Sequence, residues 1–180
     1  MSRYRWFVLG ALTGVLILGA WWWSSTGAGT VAIDLMDRFP SAVRRPNPDV
    51  FVVQDIGIGG ATQPAIVVAQ ASRIIWKEVI PEDGWLEVSL GMREESWVRP
   101  GDGVLFRVGI SRGDVYEELV SLVINPFANP ADRQWYPLML DLSPYAGDTV
   151  EIIFNTNAGA NSENAANDLA VWGEPKITVR

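Results

Sequence analysis

The chain has 180 residues, 48% of them hydrophobic and 19% charged, which is enough for one packed domain and too apolar for a disordered chain. It holds no Cys and no His, which excludes disulfides, a thiol nucleophile, Cys-ligated clusters, covalent haem attachment and the commonest general base and metal ligand. The formal net charge is −7, and setting Arg3 and Arg5 aside leaves 12 basic against 21 acidic residues, a net of −9 whose sign argues against nucleic acid as a partner.

The first element is an apolar run, WFVLGALTGVLILGAWWW, from Trp6 to Trp23, without a charged residue. As a helix it would reach about 27 Å, close to the hydrocarbon thickness of a bilayer. Arg3 and Arg5 precede it, so the positive-inside rule predicts a cytoplasmic N-terminus and an extracytoplasmic remainder, in a bacterial cell membrane. Trp6 stands at one expected membrane interface, and Trp21, Trp22 and Trp23 at the other. A cleaved signal peptide is the competing reading, with Thr26-Gly27-Ala28 as a small-residue site, but its apolar core is usually shorter. Gly10 and Gly14 form a small-xxx-small pair that would let a partner helix approach closely.

Residues 24–30, SSTGAGT, read as a polar tether. Val31, Leu35 and Phe39 then recur at i, i+4 and i+8, which predicts a short amphipathic helix ended by Pro40. This divides the chain into an anchor over 1–23, a tether and short helix over 24–47, and a β domain over 48–180.

From about Val50 the apolar period becomes two. Val104, Phe106, Val108 and Ile110 share one face of a strand; Leu86, Val88 and Leu90 share another; Val150, Ile152 and Phe154 a third. Further apolar, β-rich runs occupy 50–56, 64–69, 73–80, 115–124, 135–142 and 169–179, separated by Gly, Pro, Asn and Asp. About nine short strands with polar punctuation predict an all-β sandwich.

The stretches GDGVLFRVGI, INPFANPADRQWYPLMLDLSPYAG, DTVEIIFNTNAG and NDLAVWGEP, between Gly101 and Pro175, carry a resemblance. They resemble jelly-roll domains similar to carbohydrate-binding modules and galactose-binding-like domains of bacterial extracytoplasmic proteins. In those, a W-x-P-x-x-x-D-L-S strand precedes Y-A-G, a strand ending in F-x-T, and a closing strand with W-G-x-P. The resemblance covers roughly residues 31–180 and implies binding or scaffolding rather than catalysis. Read by themselves, Asp141, Ser143 and Gly147 are turn residues, and Trp172 is a core aromatic.

No phosphate-binding loop, dinucleotide fingerprint, serine elbow or metal-ligand spacing occurs, and no cofactor is expected. Paired acids such as Glu94 and Glu95 or Glu117 and Glu118 read as solvated charges, so the expectation is a protein that is not an enzyme. Trp85, Trp97 and Trp135 fall opposite the apolar faces or in a loop and are the candidate aromatic surface for a ligand or partner. Asp102, Asn125, Asn155, Asn157 and Asp168 are the oxygen donors to inspect for calcium.

The expected function is a non-catalytic accessory subunit of a larger membrane complex, such as a respiratory or photosynthetic assembly. Its span would bind the bilayer and neighbouring subunits through residues 6–23. The alternative is a cell-surface carbohydrate-binding module whose partner is a glycan.

Overall fold

The structure is a computed structural model and describes residues 29–159 and 167–180. The expected span, with Trp6, Gly10, Gly14, Trp21, Trp22 and Trp23, lies outside the described residues. Among the described residues no helix is long and apolar enough to cross a membrane.

Among the described residues eleven strands build two sheets: β1 (Thr30–Asp34), β2 (Val43–Arg45), β3 (Phe51–Ile58), β4 (Ala61–Val68), β5 (Ser72–Val79), β6 (Gly84–Met92), β7 (Val104–Arg112), β8 (Val115–Ile124), β9 (Tyr136–Asp141), β10 (Thr149–Ala158) and β11 (Ala170–Val179). The first sheet runs β3-β4-β11-β6-β9, with β1 paired to β11. The second runs β2-β5-β10-β7-β8. Neighbours on these paths are far apart in sequence, as β10 between β5 and β7 illustrates, so the architecture is a jelly-roll sandwich.

Alternation explains the core. On β7, Val104, Phe106, Val108 and Ile110 are buried, and they meet Leu86, Val88 and Leu90 of the opposite sheet. Phe106 and Phe154 pack their rings on Trp172, with centroids 5.0 and 4.5 Å away, and Trp76 meets Phe154 edge-on at 4.9 Å. Trp76 Nε1 donates to the Leu35 carbonyl at 3.0 Å, whereas Trp172 Nε1 is buried without a hydrogen-bond partner.

The expected turn chemistry is in place. Asp141 Oδ1 accepts from the Ser143 amide at 2.8 Å, and that bond holds the carboxyl below the usual range. Gly147 adopts φ +79°, which a side chain would resist, and its amide donates to the Ile80 carbonyl at 2.8 Å.

The segment after the tether differs from expectation. Only one helical turn forms, α1 (Leu35–Arg38), because Asp34 caps it by accepting from the Met36 and Asp37 amides while Pro40 opens a 3-10 turn. Leu35 and Phe39 are buried, but Val31 is half-exposed on β1. The boundary expected at 47/48 therefore falls inside the folded unit, which spans Val31–Val179 and takes β2 as an edge of the second sheet.

Candidate functional site

Each sheet has one face in the core and one turned away, and the two outward faces differ. On the first sheet Ile56, Ile58, Ala65, Val67 and Val171 form a small outer cluster with Trp97 and Trp135 packed over it. Trp97 Nε1 donates to the Met92 carbonyl at 3.2 Å, and Trp135 Nε1 donates to the Ala61 carbonyl at 3.0 Å. The Arg133 guanidinium lies 6.0 Å above the Trp97 ring. Gly91 leaves room for Trp135, since a Cβ there would meet the ring at 3.3 Å and Ile58 at 2.7 Å. Trp85 is half-buried on β6, between Asp141 of β9 and Thr178 of β11. Of the three candidate surface tryptophans, two therefore cover apolar surface and anchor their indole nitrogens to the backbone.

The outward face of the second sheet is open and polar. It holds a groove of about 890 Å³ lined by side chains of β2, β5, β10, β7 and β8. On its β8 side the Tyr116 ring lies on Gly109, where a Cβ would come within 2.5 Å of the ring and hydroxyl. Tyr116 is 49% exposed, so the ring's other side faces solvent. The same groove is lined by Arg45, Arg73, Arg107, Glu118, Asn155 and Asn157. Arg73 Nε donates to Asn155 Oδ1 at 2.7 Å, and Arg107 lies 3.5 Å from the Glu118 carboxylate.

A bulge sets which side chains of β8 reach this groove. Val108 pairs with Val120, but Gly109 pairs with Glu118, leaving Leu119 as an extra residue. The alternation therefore shifts by one. Ser121 and Val123 share the outward face with Glu118 and Tyr116, while Glu117 turns the other way and accepts a hydrogen bond from the Tyr145 hydroxyl at 2.7 Å. Burial and this bond to Glu117 push the Tyr145 hydroxyl up to about 12.

The loops before β5, β7, β9 and β11 gather at one end, and here the candidate calcium donors separate. Asn125 is committed to structure: its amide donates to Asp132 at 2.7 Å and its side chain to the Gly101 carbonyl at 3.3 Å. Asn155 serves Arg73, and Asn157 lines the groove. Asp168 is 5% exposed, neither carboxylate oxygen has a hydrogen-bond partner, and it shares a narrow recess with Asn157 and Thr156. Burial first, and the nearby Asp102 charge second, raise it to about 7. Among the described residues no group of three or more His, Cys, Asp or Glu could hold a metal ion. Glu95 is engaged in an ion pair with Arg93 beside a smaller groove along β3.

Comparison with known proteins supports the architecture. A CBM51 module from a Clostridium perfringens GH95 protein, solved with methyl-galactose, superposes with a TM-score of 0.50 at 17% identity, over 86% of this chain and 91% of that one. A CBM61 module, solved with β-1,4-galactotriose, gives 0.52 at 9% identity, over 79% and 90%. The fold is the jelly-roll sandwich of these carbohydrate-binding modules. An uncharacterized protein of Archaeoglobus fulgidus is 43% identical over 109 residues, 59% of this chain and 27% of that one. The chain thus spans about a quarter of the length of that relative. No family model matches the sequence.

Sequence reasoning did not single out Tyr116 or the arginines of the groove. The alternation of GVLFRVGISR does place Arg107 and Gly109 on the face opposite the core, which is a partial signal. The cross-strand neighbours that complete the groove come from β2, β5 and β10, and nothing local in the sequence pairs them.

Proposed function

We propose that the domain is a non-catalytic glycan-binding module that holds a saccharide chain in the groove over the second sheet. The observation that carries this reading is Tyr116, one ring face resting on Gly109 and the other exposed in a groove rich in planar polar groups. Sugar rings present C–H faces that pack on aromatic rings and hydroxyls that need donors and acceptors at the rim. Arginine and asparagine side chains supply those in a fixed plane. The jelly-roll likeness to modules solved with galactose-containing ligands adds support at the level of architecture.

The accessory-subunit reading rests on Gly10, Gly14 and the apolar run over 6–23, none of them among the described residues. An open polar groove is on the described surface, which supports the glycan reading over the accessory-subunit one. In the same proposal residues 6–23 anchor the chain and display the domain outside the cytoplasm; protease treatment of intact cells should then degrade the domain.

Affinity electrophoresis of the full chain in gels containing soluble polysaccharides tests the reading. At least one glycan should retard the protein, and Tyr116→Ala should weaken that retardation about tenfold, the loss of roughly 1.4 kcal/mol of contact. Retardation by no glycan, or equal retardation of the variant, would sink it.

A further inference from the structure

The groove carries a row of like charges that its own acidic neighbours, Glu118 and Glu151, neutralise only in part. The register places Arg45 opposite Arg73, Arg73 opposite Asn155, and Asn155 opposite Arg107, so one line crosses β2, β5, β10 and β7. All four side chains line the same groove. Adjacent strands lie about 4.8 Å apart, so the line sets three guanidinium groups within about 15 Å along the strand-crossing direction.

Like charges directly opposite each other on neighbouring strands oppose folding. Arg45 and Arg73 form such a pair at the edge of the sheet. Among the described residues the groove also holds two acids, Glu118, which lies 3.5 Å from Arg107 while Arg107 Nε still lacks a hydrogen-bond partner, and Glu151 of β10; neither Arg45 nor Arg73 makes an ion pair. Arg73 spends one N–H on the neutral Asn155 and keeps its terminal amines for the groove. This concentration of positive charge sits on a chain whose net charge is −7.

Resting on the glycan reading above, we infer that the ligand is an acidic polysaccharide whose uronate carboxylates seat on the Arg45–Arg73–Arg107 row while a sugar ring stacks on Tyr116. Guanidinium groups bind carboxylates through two parallel N–H bonds, which a neutral hydroxymethyl group cannot replace. The row crosses the strands, so the chain lies across the sheet with its carboxylates spaced over successive strands. Bound carboxylates also relieve the repulsion between Arg45 and Arg73.

The test compares polygalacturonate, alginate and hyaluronan with fully methyl-esterified pectin and neutral galactan, using the full chain and calorimetry at low and high salt. At least one uronate polymer should bind about tenfold or more tighter than the neutral polymers, and raised salt should shrink that margin. Arg45→Gln and Arg73→Gln should abolish the margin and leave neutral binding intact, whereas Tyr116→Ala should weaken both. Equal binding of acidic and neutral polymers, with both arginine variants unchanged and Tyr116→Ala still weakened, overturns the acidic specificity and leaves the glycan reading standing. Polyglutamate binding as tightly as the uronate polymers reduces the row to general charge attraction and overturns the inference. Binding of no polysaccharide overturns the glycan reading and the inference together.

Discussion

Tyr116 rests its ring on the bare backbone of Gly109, one strand over, and no other residue at 109 could leave it there. Gly109→Ala should therefore lift the ring out of the groove, because the added Cβ would come within 2.5 Å of it. Glycan affinity should fall by about as much as in Tyr116→Ala, roughly tenfold. The sandwich should remain folded, since the ring swings toward solvent rather than into the core; thermal unfolding and calorimetry on the same sample check both halves.

Trp97 and Trp135 should behave in the opposite way. Each covers the outer cluster of the first sheet and donates to a backbone carbonyl. Replacement by Ala should cost about 2–4 kcal/mol of stability by chemical denaturation, at the low end because both are half-buried. Glycan retardation should not change, since neither residue lines the groove of the second sheet.

The two core tryptophans separate packing from hydrogen bonding. Trp76 donates to the Leu35 carbonyl, while the Trp172 indole N–H has no partner. Trp76→Phe removes that hydrogen bond, and Trp172→Phe removes a buried polar group already unpaired. Both lose volume, but the Trp76 change should be more costly by about 1–2 kcal/mol in urea unfolding.

Asp168 sets a pH dependence. Its folded-state carboxyl is raised to about 7, well above an unfolded Asp near 4, so between those values the folded chain holds a proton that the unfolded chain has released. Stability therefore falls as pH rises from about 4 to about 7 and stays at the lower level above. Asp168→Asn should flatten that decline and raise the melting temperature at pH 8 but not at pH 4. A melting temperature that climbs with millimolar calcium at pH 8 in the parent, and not in Asp168→Asn, would assign a cation to the Asp102 and Asp168 pair.

Much of the fold was legible because alternation is a local property. The nine apolar runs correspond to β3 through β11, with ends shifted by a few residues, and Trp172 is in the core as its flanking residues implied. Periodicity misled at Val31, Leu35 and Phe39, where a helical spacing was met by a strand, one helical turn and a 3-10 turn. That spacing recurs by chance over nine residues, and Asp34 capping decided the outcome. The site was less legible, because its polar residues acquire meaning only through pairing across strands. Arg45 and Arg73 are 28 positions apart and Arg73 and Asn155 are 82 apart, yet they are direct neighbours. Trp135 looked like a surface residue because its strand face points away from the core and Trp97 because it falls in a loop, and the second, outer cluster beneath them leaves no periodic trace.

Leu119 adds a last point. As the unpaired residue of β8 it touches no ligand and carries no chemistry, yet it fixes the phase of everything on its N-terminal side. Were Leu119 instead paired with Gly109 in a regular ladder, Tyr116 and Glu118 would roll inward and Glu117 and Val115 would face outward, exchanging an aromatic ring for an acid and an aliphatic. The vocabulary of the groove is thus written partly in how one strand is paired. A related sandwich that ironed out the bulge would present a different surface, with every amino acid unchanged.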